Sequence, residues 1–295
     1  MTQASPRFGC IEAGGTKFVL GIAEAPDAIL KTTRIPTTDP QETIAAVTEW
    51  FNENGPIDAI GFASFGPIDP DPASPRWGFI TETTKSGWSC TDFAGRVGRA
   101  FDVPVGFDTD VNGAALAESR WGAAQGDDVA VYMTVGTGIG GGAVINGAPL
   151  HGAQHPEMGH ILPRRHPSDI DFPGVCPFHG DCFEGLASGP AIIARWGMSL
   201  SELPSDHAAH QIIAWYLGQL AMSVQAVLSP RRIIFGGGVI ATPGLLEAIR
   251  GEAMRLAKDY VTIIIEPPAL GEQSGLLGGL ALAQAAFRMG QKPWA

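Results

Sequence analysis

Short apolar runs ending in glycine-rich turns alternate along this chain with amphipathic stretches of helical period. Residues 8–13 and 18–23 read as two buried strands on either side of Gly14-Gly15-Thr16-Lys17, a tight turn that offers bare backbone N–H groups, a hydroxyl and a cation. Asp39-Pro40-Gln41-Glu42 carries the marks of a helix start: a capping carboxylate, Pro at the first helical position, and an acid three residues after the cap. That helix runs to about Asn54, with Ile44, Val47, Trp50 and Phe51 on one face. A strand over 57–64 ends at Phe65-Gly66-Pro67, and a long Pro-rich loop, 67–89, follows with Trp77 and Trp88. Loops of that length are either functional or surface excursions, and the residues favour neither.

A strand over 103–107 delivers Asp108-Thr109-Asp110 to the start of an Ala-rich helix, 111–121. Asp110 thus stands at the carboxyl end of a strand, where open α/β sheets bind ligands, although helix capping alone also suits an Asp there. The strand 129–135 leads into Gly136-Thr137-Gly138-Ile139-Gly140-Gly141-Gly142. The glycine spacing is that of a dinucleotide site, but such a site requires a helix next. Here Ala143-Val144-Ile145 and the hairpin signal Asn146-Gly147 follow, so the glycines form a second strand–turn–strand phosphate loop. Helices are expected over 188–196, 207–228 (Ile212, Ile213, Leu217, Leu220 and Val224 inward), 243–258 and 274–289. Strands are expected over 232–235 and 262–265, the first delivering Gly236-Gly237-Gly238, a flat platform that would admit a purine. The pattern is α/β, and 295 residues suffice for about two domains sharing a cleft.

Charge narrows the partners. A formal net charge of −11 with no Lys/Arg run disfavours nucleic acid. The start of the chain does not read as a signal peptide, no stretch reads as a bilayer span, and the expected location is the cytoplasm. Of the four cysteines, Cys176 and Cys182 bracket His179 in Cys176-Pro177-Phe178-His179-Gly180-Asp181-Cys182, and His160 lies upstream in Glu157-Met158-Gly159-His160. Two thiolates and two imidazoles suit a tetrahedral, structural Zn²⁺ with no open position for water. A disulfide is less expected in a chain without export signals. Cys10 and Cys90 read as small buried hydrophobes. The metal would pin Glu157 and Glu184, at the two ends of this stretch, toward one place.

In that order, Gly-Gly-Thr-Lys, the Asp110 corner, Gly-Thr-Gly-Ile-Gly-Gly-Gly, Glu-x-Gly-His, the Cys/His cluster, Gly-Gly-Gly and Ser-Gly-Leu-x-Gly resemble the ROK family of sugar kinases over nearly the whole chain. Glu12–Lys17 and Cys176–Cys182 look most like its fructokinase branch. The resemblance implies a two-domain actin-like ATPase (ribonuclease H-like) fold with an active-site cleft between domains. The small domain would be 1–112, completed by a helix over about 277–295, and the large domain 113–276 with the zinc loop. It implies ATP-dependent phosphorylation of a hexose, D-fructose foremost, with Asp110 as the base. Gly66, Asn112, Glu157, His160 and Glu184 would form the sugar site. Gly14, Gly15, Thr16, Lys17, Thr137, Gly138, Gly140 and Gly141 would hold the phosphates, and Gly237 and Gly238 would face the adenosine. Zn²⁺ would sit on His160, Cys176, His179 and Cys182, and Glu12 would reach Mg²⁺ through a water. Many members have Asn before the catalytic Asp, where this chain has Thr109. Another hexose, or a non-catalytic sugar-binding regulator, is the competing expectation. A repressor is disfavoured because only 13 residues precede Gly14, too few for a DNA-binding domain ahead of the core. Relatives are often homodimers.

Overall fold

The computed structural model describes residues 5–290, so the expected continuation of the last helix through 291–295 lies outside the described residues. The described chain forms two compact units, one of residues up to 121 with 149–155 and from 272 onward, the other of 122–148 with 156–271.

Unit 1 is built on β1 (Phe8–Ala13), β2 (Lys17–Ala25), β3 (Ala28–Pro36), α1 (Pro40–Asn54) and β4 (Ala59–Ser64). Asp39 caps α1 as its sequence predicts, its Oδ1 accepting from Gln41 N at 2.9 Å and Glu42 N at 3.2 Å. β5 (Phe79–Ile80) pairs with β6 (Thr91–Asp92), then come α2 (Phe93–Phe101), β7 (Val105–Thr109) and α3 (Asp110–Trp121). The sheet order is β3-β2-β1-β4-β7, with the first three strands antiparallel and β4 and β7 parallel to β1. β4 is buried at every residue because aromatic rings cover one face and the last helix, α8 (Ser274–Met289), covers the other. A Cβ on Gly61 would overlap the backbone of Gly279, so helix and strand meet main chain to main chain.

The loop 67–89 is anchored rather than decorative. Trp88 is fully buried, packs against Phe18, Phe65 and Phe93, and donates its indole N–H to Thr38 O at 2.8 Å. Three expectations need correction here. The strand read as 103–107 runs two residues later, so Asp108 and Thr109 are strand residues. The boundary read at 112 falls inside α3, which packs along α8 and β4 and therefore belongs whole to unit 1. Residues 149–155, read as part of the large domain, also belong to unit 1, tied there by His151 and His155.

Unit 2 repeats the scheme. β8 (Val129–Val135), β9 (Ile139–Ile145) and β10 (Ala148–Pro149) lead to α4 (Phe183–Ala187), α5 (Gly189–Trp196), α6 (Ala209–Leu228), β11 (Arg232–Gly236), α7 (Leu245–Ala257) and β12 (Ile265–Glu266). The order β10-β9-β8-β11-β12 again joins an antiparallel hairpin, β8 with β9, to the parallel strands β11 and β12. The hairpin turns at Asn146 and Gly147, both at positive φ, as their pairing predicts. By length and composition α6 could cross a membrane, against the expectation that no segment would. Its apolar face is instead buried, with Ile213, Leu217 and Leu220 at 0% exposure, and it packs against α7 as a core helix.

Candidate active site and metal centre

The turn Gly14–Lys17 is closed by Gly14 N donating to Lys17 O at 3.0 Å, and Thr37 Oγ1 donates to Gly14 O at 2.7 Å. Thr16 and Lys17 are exposed at its tip. Below it, burial pushes the Glu12 carboxyl above its usual range, and the Lys17 and Arg34 charges work against that shift.

At the β7–α3 corner the hydrogen bonds divide the labour. Thr109 caps the helix, its Oγ1 accepting from Asn112 N at 3.1 Å, so Asp110 opens α3 without serving as its cap. Asp110 is half-buried. Asp108 is buried and accepts at Oδ1 from Thr109 N at 2.7 Å and from Asn112 Nδ2 at 2.8 Å. Its Oδ2 lies 2.9 Å from His151 Nε2. Asn112 is itself buried, so its amide holds the corner together rather than standing open. His155 Nε2 accepts from Ile68 N at 3.1 Å, beside Gly66. One short segment, 149–155, thus touches both Asn112 and the Gly66 region, two places expected to bind sugar. His151 and His155 were not among the residues expected in the site. Their only sequence signal was two imidazoles just ahead of Glu157.

In unit 2, β8 and β9 flank a turn whose Thr137 is exposed, and Gly136 N bonds Gly138 O at 2.9 Å across it. Glu184, at the start of α4, accepts from Ile139 N at 3.0 Å, and a Cβ on Gly138 would clash with its carboxylate. The glycine loop and Glu184 are therefore one structure. Glu157 precedes a short 3₁₀ turn, Met158–His160, that rests on β9; Gly159 abuts the Ile139 carbonyl, and Met158 contacts the place where Gly141 lacks a side chain. Gly140 lies within the same strand, β9. Partial burial, aided by the Glu184 charge, raises the Glu157 carboxyl to about 7, although 48% of the side chain stays exposed. Gly237 and Gly238, just after β11, are exposed; Gly237 has a φ of 98° and no room for a side chain against Val135, while Gly238 faces open space.

The Cys/His set converges as the spacing predicts. One ligand atom from each of His160, Cys176, His179 and Cys182 lies within 4.8 Å of all the others. His160 Nδ1 is 3.2 Å from His179 Nδ1, 3.6 Å from Cys176 Sγ and 3.5 Å from Cys182 Sγ, and Cys176 Sγ is 3.8 Å from His179 Nδ1. Zn–N bonds of about 2.0–2.1 Å and Zn–S bonds of about 2.3 Å would place tetrahedral ligand atoms roughly 3.3–3.8 Å apart. The donor set therefore fits a four-coordinate ion. The other ring nitrogen, His160 Nε2, lies 3.9 Å from Glu157 Oε2, so the imidazole links the cluster to that carboxylate. Upstream, the buried Asp169 receives Arg195 Nη1 at 2.6 Å and Tyr216 Oη at 2.7 Å, fixing the loop that leads to the cysteines.

Two units of this topology define the actin-like ATPase class, and the chain superposes on a ROK hexokinase from Thermus thermophilus with a TM-score of 0.80 at 26% identity, over 96% of this chain and 100% of that one. The ROK family profile matches residues 8–286, and the chain belongs to the ROK family. It is 48% identical over 291 residues to the fructokinase of Zymomonas mobilis (95% of this chain, 97% of that protein) and 41% identical over 287 residues to the fructokinase of Lactococcus lactis subsp. cremoris (95% and 98%).

Proposed function

We propose that this chain is an ATP-dependent fructokinase of the cytoplasm, converting D-fructose and ATP to fructose 6-phosphate and ADP. The observation that carries the reading is the 48% identity, along nearly the full length of both chains, to a protein named a fructokinase. The two glycine turns and the half-buried Asp110 suit the chemistry. Phosphoryl transfer asks chiefly for positioning and for donors aimed at the phosphate oxygens. The turns 14–17 and 136–141 present backbone N–H groups, and Lys17 adds a charge. Asp110 takes the proton of the sugar's primary hydroxyl as its oxygen bonds the γ-phosphorus and the bond to ADP breaks. Glu157, His160 and Glu184 accept from or donate to the remaining hydroxyls. Magnesium, when bound with ATP, supplies further positive charge, and Glu12 is the residue that would hold it through water.

The cluster of His160, Cys176, His179 and Cys182 takes Zn²⁺ in this reading. The ion is structural, because all four positions are filled by side chains, and it stiffens the loop that ends at Glu184. Free thiols as ligands agree with a reducing compartment. A coupled assay across fructose, glucose, mannose and N-acetylmannosamine tests the proposal. Fructose should give the highest kcat/KM; a higher value for any other hexose, or ATP turnover independent of sugar, overturns it.

A further inference from the structure

We infer that His151 binds a hydroxyl of the acceptor sugar directly and helps set which hexose is accepted; this rests on the kinase reading and deepens it. Every other polar side chain around Asp110 at the β7–α3 corner is already committed. Thr109 is buried and caps α3, Asp108 is buried and accepts from three groups, and Asn112 is buried with its amide nitrogen on Asp108. The side chain of this cluster that reaches solvent is His151, 34% exposed.

The chemistry of the ring fits a hydroxyl. Nε2 faces Asp108 Oδ2 at 2.9 Å and Asn112 Nδ2 at 3.4 Å, so it carries a proton and donates to the carboxylate. That bond fixes the plane of the ring, as a carboxylate commonly does for a functional imidazole. The second nitrogen, Nδ1, has no protein partner among the described residues. Neutral, Nδ1 accepts a hydrogen bond; protonated, it donates one. A hydroxyl answers either state, since it is both donor and acceptor. Paired with Asp108, the ring adds no net charge, which suits a neutral polyol better than a phosphate. The segment is also held at its other end, where His155 accepts from Ile68 N beside Gly66. An anchored imidazole with one open nitrogen discriminates sugars well, because a sugar lacking the matching hydroxyl leaves that nitrogen unpaired.

The test measures hexose binding by calorimetry without nucleotide, alongside steady-state kinetics, for His151→Ala and His151→Gln. Gln can still donate to Asp108 from its amide nitrogen but does not reproduce Nδ1. Both variants should raise Kd and KM for fructose by about tenfold, the scale of one lost hydrogen bond. The KM for ATP should stay within about twofold, and the preference among hexoses should narrow. Restoration of wild-type sugar affinity by His151→Gln would reduce the residue to a prop for Asp108 and overturn the inference. Unchanged affinity in both variants, or an equal loss of ATP affinity, would overturn it as well. A wild-type protein that binds none of the hexoses defeats the kinase reading instead, so the two failures are distinguishable.

Discussion

Asp110 owes its position to its neighbours. Thr109 does the capping, and the Asp110 carboxylate accepts at Oδ1 from Val111 N at 2.9 Å, which orients it at the start of α3. Positioned bases typically contribute about 10²–10⁴-fold to rate. Asp110→Ala should therefore keep the wild-type melting temperature and sugar Kd while losing at least about 100-fold in kcat. A variant with wild-type turnover removes Asp110 from the mechanism. The corner was legible in part: Asp110 stands out from its place at a strand-to-helix junction, and Asn112 from the family resemblance. What the chain order concealed was the assignment among them. Burial makes Asn112 and Asp108 a scaffold, and His151, 39 positions away from Asn112, completes it.

At the scale of elements, the strongest local signals gave elements that match closely. Asp39-Pro40 starts α1, the strand over 129–135 is β8, and Asn146-Gly147 turns β9 toward β10. Those features are fixed by backbone chemistry within a few residues. Weak local signals failed in the same terms: β3 is a half-exposed strand, and α2 is a short helix holding two glycines, so neither shows a firm period. The meeting of α8 with β4 is purely tertiary. Gly61→Ala should destabilise the fold by about 1–3 kcal/mol or more, since the added methyl meets the Gly279 backbone and cannot be met by a rotamer change. Chemical denaturation reads this directly, and a value near zero would contradict the packing described. The metal loop is testable at the same scale. The purified protein should carry about one zinc per chain, a four-ligand structural ion. Chelation should lower the melting temperature and weaken sugar binding, because Glu184 leaves the last ligand by only two positions. Wild-type melting and activity in metal-free protein would refute a structural ion.

At the scale of the molecule, two five-stranded sheets of the same strand pattern, each a hairpin joined to parallel strands, carry the two glycine turns. The turns, the final helix and the Cys/His spacing were all visible along the chain, because each depends on residues close in sequence: a glycine that lets backbone N–H groups face a phosphate, a periodic apolar face, a ligand every third residue. The sequence alone therefore determined the class of fold, the family and the members of the Cys/His cluster. Tertiary structure decided the rest. It assigned α3 and the segment 149–155 to unit 1, buried the tryptophan of the long loop, turned an apolar 20-residue helix inward, and set His151 against Asp108. Those outcomes depend on which groups remain to be paired or covered once distant segments meet, and no local pattern of residues encodes that.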